Sequence, residues 1–241
     1  MSIKGKITLI LLIILLAAVI AYLIWPKSNE TQQIIVTGTV DLPEPQITGN
    51  ISVEQAIHDR RSVRRYTNQS LTLQDISQLM WAVYGITNQT TKFRVVPSAG
   101  RTYPLEVYLS IGRDGVKGLN EGVYHYNPFN HSLEQILGND VRPELSQAAN
   151  GQPWVKEAPV NIIITGNYHK MIDKYKDEKL STRFVDMEAG HAGQNIYLIA
   201  ESRNLATVAL GSFRDDSVRQ ILRIPANEKT LYIYPVGYSA L

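Results

Sequence analysis

The chain has 241 residues, 44% of them hydrophobic, a formal net charge of +2 and no cysteine. That length and apolar content suit one domain with a substantial core, and the small net charge excludes a strongly basic nucleic-acid face. The lack of cysteine excludes disulfides, thiolate metal sites, a lipid-modified cysteine and a cysteine nucleophile.

Residues 7–25 are an almost unbroken apolar run of about 19 residues, long enough to cross a bilayer as a helix. Lys4 and Lys6 precede it, and Pro26 and Lys27 follow. A basic flank favours the N-terminus inside and the rest outside, so a single-pass membrane protein with an extracytoplasmic domain is expected. An uncleaved anchor is favoured over a cleaved signal peptide, because the run is long and no small-x-small site ends it. Residues 26–50 read as a linker, with Ser28, Asn29, Gly38, Pro43, Pro45 and Gly49 and one short β-like patch at 34–36.

The domain is expected over 51–241. Ser52 can cap a first short helix, with Gln55 at the capping-box position. Thr72 can cap a second, running to about Tyr84, with Asp75 in its first turn, Gly85 as its stop and Leu73, Ile76, Leu79, Met80 and Val83 as its apolar stripe. Leu105, Val107, Leu109 and Ile111 alternate as in a strand. Residues 123–126 and 132–136 flank a turn at Asn127-Pro128-Phe129-Asn130. Residues 160–165 read as a buried strand and 184–202 as the longest helix, thin along Ala189, Gly190, Ala192 and Gly193. That thin stripe serves either packing within the chain or a seam between subunits. A strand at 206–210, a short helix at 215–222 and a last strand at 231–236 complete the pattern. Helices and strands are mixed without regular βαβ alternation, so the fold class is α+β.

No G-x-G-x-x-G follows a strand, and there is no P-loop, H-E-x-x-H or G-x-S-x-G. His58, His125, His131, His169 and His191 form no pair at i, i+3 or i, i+4, so no metal site is expected. His191, on the thin stripe, reads as a hydrogen-bonded core residue rather than a proton donor. Arg60-Arg61-Ser62-Val63-Arg64-Arg65 packs four guanidinium groups and a hydroxyl into six residues. Such forks of donors suit a phosphate oxyanion, and the alternative is a solvated basic face.

Three further segments join that one: Pro97-Ser98-Ala99-Gly100-Arg101-Thr102-Tyr103-Pro104 before a strand, Glu188-Ala189-Gly190-His191-Ala192-Gly193-Gln194-Asn195 in the long helix, and Gly211-Ser212-Phe213 between a strand and a helix. In this order, with the closing Leu231-Tyr232-Ile233-Tyr234-Pro235-Val236-Gly237, the chain resembles the FMN-dependent nitroreductase superfamily, and within it the SagB-type branch of azoline-oxidising dehydrogenases. The resemblance covers about residues 51–238. It implies a nitroreductase-like mixed sheet flanked by helices and an intertwined homodimer with FMN in the seam. By position it implies that Arg60, Arg61, Ser62 and Arg64 hold the FMN phosphate and ribityl chain. Pro97, Ser98 and Ala99 would approach from the second subunit, and Gly211 and Ser212 would set a backbone N–H beside flavin N5. Flavin, not a protein nucleophile, does the chemistry, and Tyr103, Tyr175 and Lys179 are candidate substrate-side groups, the last two taken as one helical turn apart.

The chain departs from the pattern at Gly237-Tyr238-Ser239-Ala240-Leu241, where many nitroreductases carry a base that completes the phosphate site. For Gly211-Ser212 alone, an ordinary turn with Ser212 as a helix cap is the competing reading. The expected function is hydride transfer through flavin N5 to or from a small molecule or peptide ring. The alternatives are a flavin-binding protein without turnover and a scaffold without flavin.

Overall fold

The computed structural model describes residues 36–240. Its centre is a seven-stranded sheet built from β1 (Gly38–Asp41), β4 (Leu105–Ile111), β5 (Gly122–Asn127), β6 (Ser132–Leu137), β7 (Val160–Gly166), β8 (Leu205–Thr207) and β9 (Lys229–Tyr238), in the order β1-β6-β5-β4-β7-β9-β8. Every strand pairing in it is antiparallel, which corrects the mixed sheet expected above. A small hairpin, β2 (Ile86–Asn88) and β3 (Phe93–Arg94), stands apart from it.

Both faces of the sheet are covered. Leu105, Val107, Leu109, Ile111, Ile162 and Ile164 point to one side, against α2 (Leu73–Tyr84) and α6 (Glu178–Ser202). Tyr108, Val123, Ile163 and Ile233 point to the other, against α3 (Arg142–Ala148), α4 (Pro153–Glu157) and α7 (Asp215–Leu222). A strand with an apolar layer on each side is buried on both faces, as β7 is throughout and β4 at every residue but Glu106, and the three-layer arrangement supplies those layers. Two helices border the site described below: α1 (Val53–Asp59) near the start and α5 (Tyr168–Tyr175) before the long helix.

The caps expected from sequence form. Ser52 Oγ accepts from Gln55 N at 3.1 Å, and Thr72 and Asp75 make a reciprocal capping box. The long helix starts six residues earlier than its apolar pattern, at Glu178, because the Asp177 side chain accepts from Leu180 N at 2.9 Å.

Part of the stretch read as a linker belongs to the sheet. Gly38–Asp41 pairs with β6, and Leu42 is in the core. Such a short edge strand, rich in Gly and Thr, has no hydrophobic alternation to reveal it. The membrane placement also needs correction: among the described residues no helix is long and apolar enough to cross a membrane. The run 7–25, on which that expectation rested, lies outside the described residues.

Candidate active site

The segment after α1 runs extended along the sheet edge. Val63 N donates to Thr207 O at 2.9 Å, and Tyr66 bridges to Ser239 beyond the end of β9. This alignment throws Arg60 and Arg64 onto aromatic faces. The Arg60 guanidinium lies 5.1 Å from the Tyr197 ring centre and that of Arg64 5.3 Å from Trp154. A cation on a ring face keeps its donors free for an anion. Among the described residues, Arg60, Arg61 and Arg64 have no carboxylate within ion-pair distance. Arg61 differs from its neighbours. Its Nη1 donates to His58 O at 2.9 Å and to Arg60 O at 2.8 Å, so it serves the carbonyls at the end of α1.

Ser62 and the Gly211 turn meet through Tyr197. Ser62 Oγ and Tyr197 Oη share a hydrogen bond of 2.9 Å, and Tyr197 Oη accepts from Ala209 N at 2.9 Å. That donor, withdrawn from the sheet, ends β8 at Thr207 rather than at Leu210. Asn150 Nδ2 donates to Ser212 O at 3.1 Å and to Ser212 Oγ at 3.0 Å, four residues before the Trp154 that carries Arg64. The first and fourth segments thus form one cluster. Ser212 does not cap α7, whose N-cap is Arg214 without a side-chain capping bond. A Cβ at Gly211 would meet nothing within 4 Å, so the turn faces open space.

The second segment lies in another cluster. Gly100, Arg101 and Tyr103 all have left-handed φ, of 57°, 57° and 50°. Lys174 Nζ donates to Gly100 O, and a Cβ at Gly100 would meet Tyr175 Oη at 2.8 Å. The left-handed φ favours glycine there, and a side chain would have to displace the ends of Lys174 and Tyr175. Lys170 Nζ pairs with Glu106 Oε1 at 2.7 Å and fixes α5, so that Lys174 and Tyr175, one turn on, reach the loop. Pro97 is exposed, and Ser98 and Ala99 are half-buried. Among the described residues no hydrogen bond, ion pair or ring contact joins this loop to residues 60–64.

The substrate-side candidates separate. Tyr175 stays at the loop, its ring 5.0 Å from Phe184. Lys179 is exposed in the first turn of α6, and Lys176, with φ of 55°, ends α5 between them, so the two do not share a helix. Tyr103 is half-buried, its ring 6.3 Å from that of Tyr84 and 5.0 Å from the Arg94 guanidinium. His191 is exposed, against the core placement expected for it. Lys174, Tyr197, Trp154 and Asn150 escaped sequence reasoning. Lys174 carried one signal, its place beside Tyr175; the others are single residues brought in by tertiary contacts.

A three-layer antiparallel α+β domain, with a basic segment on one edge and a small-residue loop on a different cluster, defines a nitroreductase-like fold. The chain belongs to the nitroreductase family, whose model matches residues 57–238. A provisionally named nitroreductase of Methanocaldococcus jannaschii is 43% identical over 199 residues, 83% of this chain and 96% of that protein. A solved structure of a provisional nitroreductase from Ralstonia eutropha superposes with a TM-score of 0.73 at 25% identity, over 88% of this chain and 92% of that one. The Microcin B17-processing protein McbC of Escherichia coli is 23% identical over 157 residues, 64% of this chain and 57% of McbC.

Proposed function

We propose that the chain is an FMN-dependent oxidoreductase that acts on a small molecule or a peptide-borne ring, working as a homodimer. The observation that carries this reading is the pair of guanidinium groups, Arg60 and Arg64, held on ring faces without a carboxylate partner among the described residues. A phosphate monoester has about −1.5 to −2 charge and accepts charge-assisted bonds from such forks. Ser62, shared with Tyr197, adds a hydroxyl between them. Gly211 leaves room for a flat ring to lie against the backbone. The donor set and the open turn therefore fit FMN. Arg61, turned back on its own helix, contributes charge rather than a directed bond, and no basic residue in 237–241 replaces it.

When bound, FMN supplies a hydride acceptor and donor at N5. The chain's residues supply the rest. Gly211 and Ser212 present backbone N–H groups, with the segment pinned by Asn150. Pro97, Ser98 and Ala99 of the partner subunit close the ring pocket, which accounts for the distance between the two clusters within one chain. Lys174 and Tyr175 stand beside Gly100 as the polar groups best placed to meet a substrate. The likeness to McbC, a Microcin B17-processing protein, supports a peptide-borne substrate, and the family membership supports a nitroaromatic.

The purified protein is expected to show a bound-flavin absorbance band that bleaches anaerobically with NADH or NADPH and recovers with an added acceptor. The double variant Arg60→Ala, Arg64→Ala is expected to weaken FMN binding by about 1.5–3 kcal/mol for each charged hydrogen bond lost. Unchanged flavin retention in that variant, measured by equilibrium dialysis, would refute the phosphate role.

A further inference from the structure

The long helix carries a buried carboxyl that the reading above does not use. Glu188 is 2% exposed in the middle of α6. A carboxyl in that setting is costly unless its oxygens are occupied. Its Oε1 accepts from Tyr84 Oη at 2.7 Å, and Tyr84 Oη in turn accepts from Leu105 N at 3.0 Å. Its Oε2 is buried without a hydrogen-bond partner. Burial raises the Glu188 pKa, and the nearby Ser98 and Tyr84 hydroxyls and the Arg94 charge oppose that rise. Ser98 Oγ already accepts from Tyr103 N at 2.9 Å, so its own proton is left for an acceptor.

These contacts all bear on one short stretch. Residues 100, 101 and 103 hold left-handed φ, a conformation that side-chain-bearing residues such as Arg101 and Tyr103 disfavour. A backbone of that kind persists only where its surroundings over-determine it. Here the Ser98–Tyr103 bond closes the loop, and the Tyr84–Leu105 bond fixes the strand that follows. Arg94 stacks 4.1 Å above Tyr84 and lies 5.0 Å from Tyr103, with its Nη1 buried. Glu188 anchors the Tyr84 arm through the 2.7 Å bond to its Oε1.

We infer that Glu188 is a positioning residue that holds the 97–103 loop in its left-handed shape through Tyr84, which bonds the strand after the loop and packs edge-on against Tyr103, and so presents Pro97, Ser98 and Ala99 to the cofactor. The loop-holding part stands on the geometry alone; the presentation to cofactor rests on the function proposed above. Glutamine can keep an acceptor for Tyr84 at this position, whereas leucine matches its bulk but strands the Tyr84 hydroxyl.

The test uses the full chain with Glu188→Leu, Glu188→Gln and Tyr84→Phe, in two arms. In flavin-free protein, trypsin cleavage at the exposed Arg101 reports the loop directly. The expected result is at least tenfold faster cleavage there in Glu188→Leu and faster cleavage in Tyr84→Phe, rescue to within threefold of wild type in Glu188→Gln, and no change at the exposed Arg183. In the second arm, the FMN dissociation constant should rise about tenfold in Glu188→Leu and recover in Glu188→Gln. Equal rates at Arg101 in wild type, Glu188→Leu and Tyr84→Phe would overturn the inference. Faster cleavage at Arg101 and Arg183 alike in Glu188→Leu, with Tyr84→Phe unchanged, would also overturn it, since that is general loss of structure. A loop that loosens while wild type binds no FMN would leave the positioning role standing and remove the proposed cofactor.

Discussion

Asp75, 3% exposed, accepts at Oδ2 from Thr72 N at 2.9 Å, from the Thr72 hydroxyl at 2.6 Å and from Tyr238 Oη at 2.7 Å, while Arg203 Nε donates to Oδ1 at 2.8 Å. It therefore ties the start of α2 to the end of α6 and to the last strand. Burial pushes its carboxyl pKa up, but the donors from Thr72, Tyr238 and Arg203 outweigh burial and hold it below the ordinary range. A group depressed in the folded state contributes stability that is full above its unfolded pKa, about 3.9, and is lost as pH falls through the folded value. Asp75→Asn should cost about 3 kcal/mol at pH 7, because Arg203 is left without its partner. Its penalty should shrink below about pH 4, where wild type loses the same interaction. Urea melts of both proteins at pH 7 and pH 3 check this, and a penalty independent of pH would show that the charge is not what matters. The capping role of Asp75 was legible in Thr72-x-x-Asp75; its ties to Arg203 and Tyr238 were not, because 128 and 163 residues separate them.

The long helix α6 shows how one element divides its small residues between tasks. Ala189, Ala192 and Gly193 are buried, and a Cβ at Gly193 would run into Tyr234 Oη. Tyr234 is 3% exposed and its ring packs edge-on against Tyr197 at 5.9 Å, so it has little room to retreat. Gly193→Ala is expected to destabilise by about 1–3 kcal/mol through overpacking. Gly190 faces outward, and a Cβ there meets nothing within 4 Å. Gly190→Ala should raise protomer stability by about 1 kcal/mol through helix propensity alone. Thermal melts of the two variants read both effects, and a loss at Gly190→Ala as well would mean that a second chain packs on that face. The alternation of small residues predicted close approach but not its direction, since helix phase relative to a neighbour is set by packing. Short helices α3 and α4 escaped the sequence reading for a different reason: each opens on a proline at its start and has fewer than ten residues, too few to display a period.

Across the molecule, apolar side chains that a core would claim lie at the surface: Ile47, Val53, Ile57 and Met187 are each more than half exposed. The homodimer proposed above would cover such side chains and bring the 97–99 loop of one chain to the 60–64 segment of the other. Met187→Glu should leave the protomer folded, shift it to monomer in light scattering and reduce flavin binding in parallel. A monomeric variant that keeps full flavin affinity would place the whole site within one chain. By itself the sequence determined the capped helices, the alternating strand β4, the short buried strand β7, the α+β class and the identity of the basic and small-residue segments, because each is written in contacts between near neighbours. Only the tertiary structure decided that the sheet is antiparallel, that Gly38–Asp41 joins it, that Arg61 turns back on its helix, and that Lys174 rather than Lys179 meets the Gly100 loop. Those outcomes depend on which distant groups compete for the same donors and the same volume, and that competition exists only once the layers have closed.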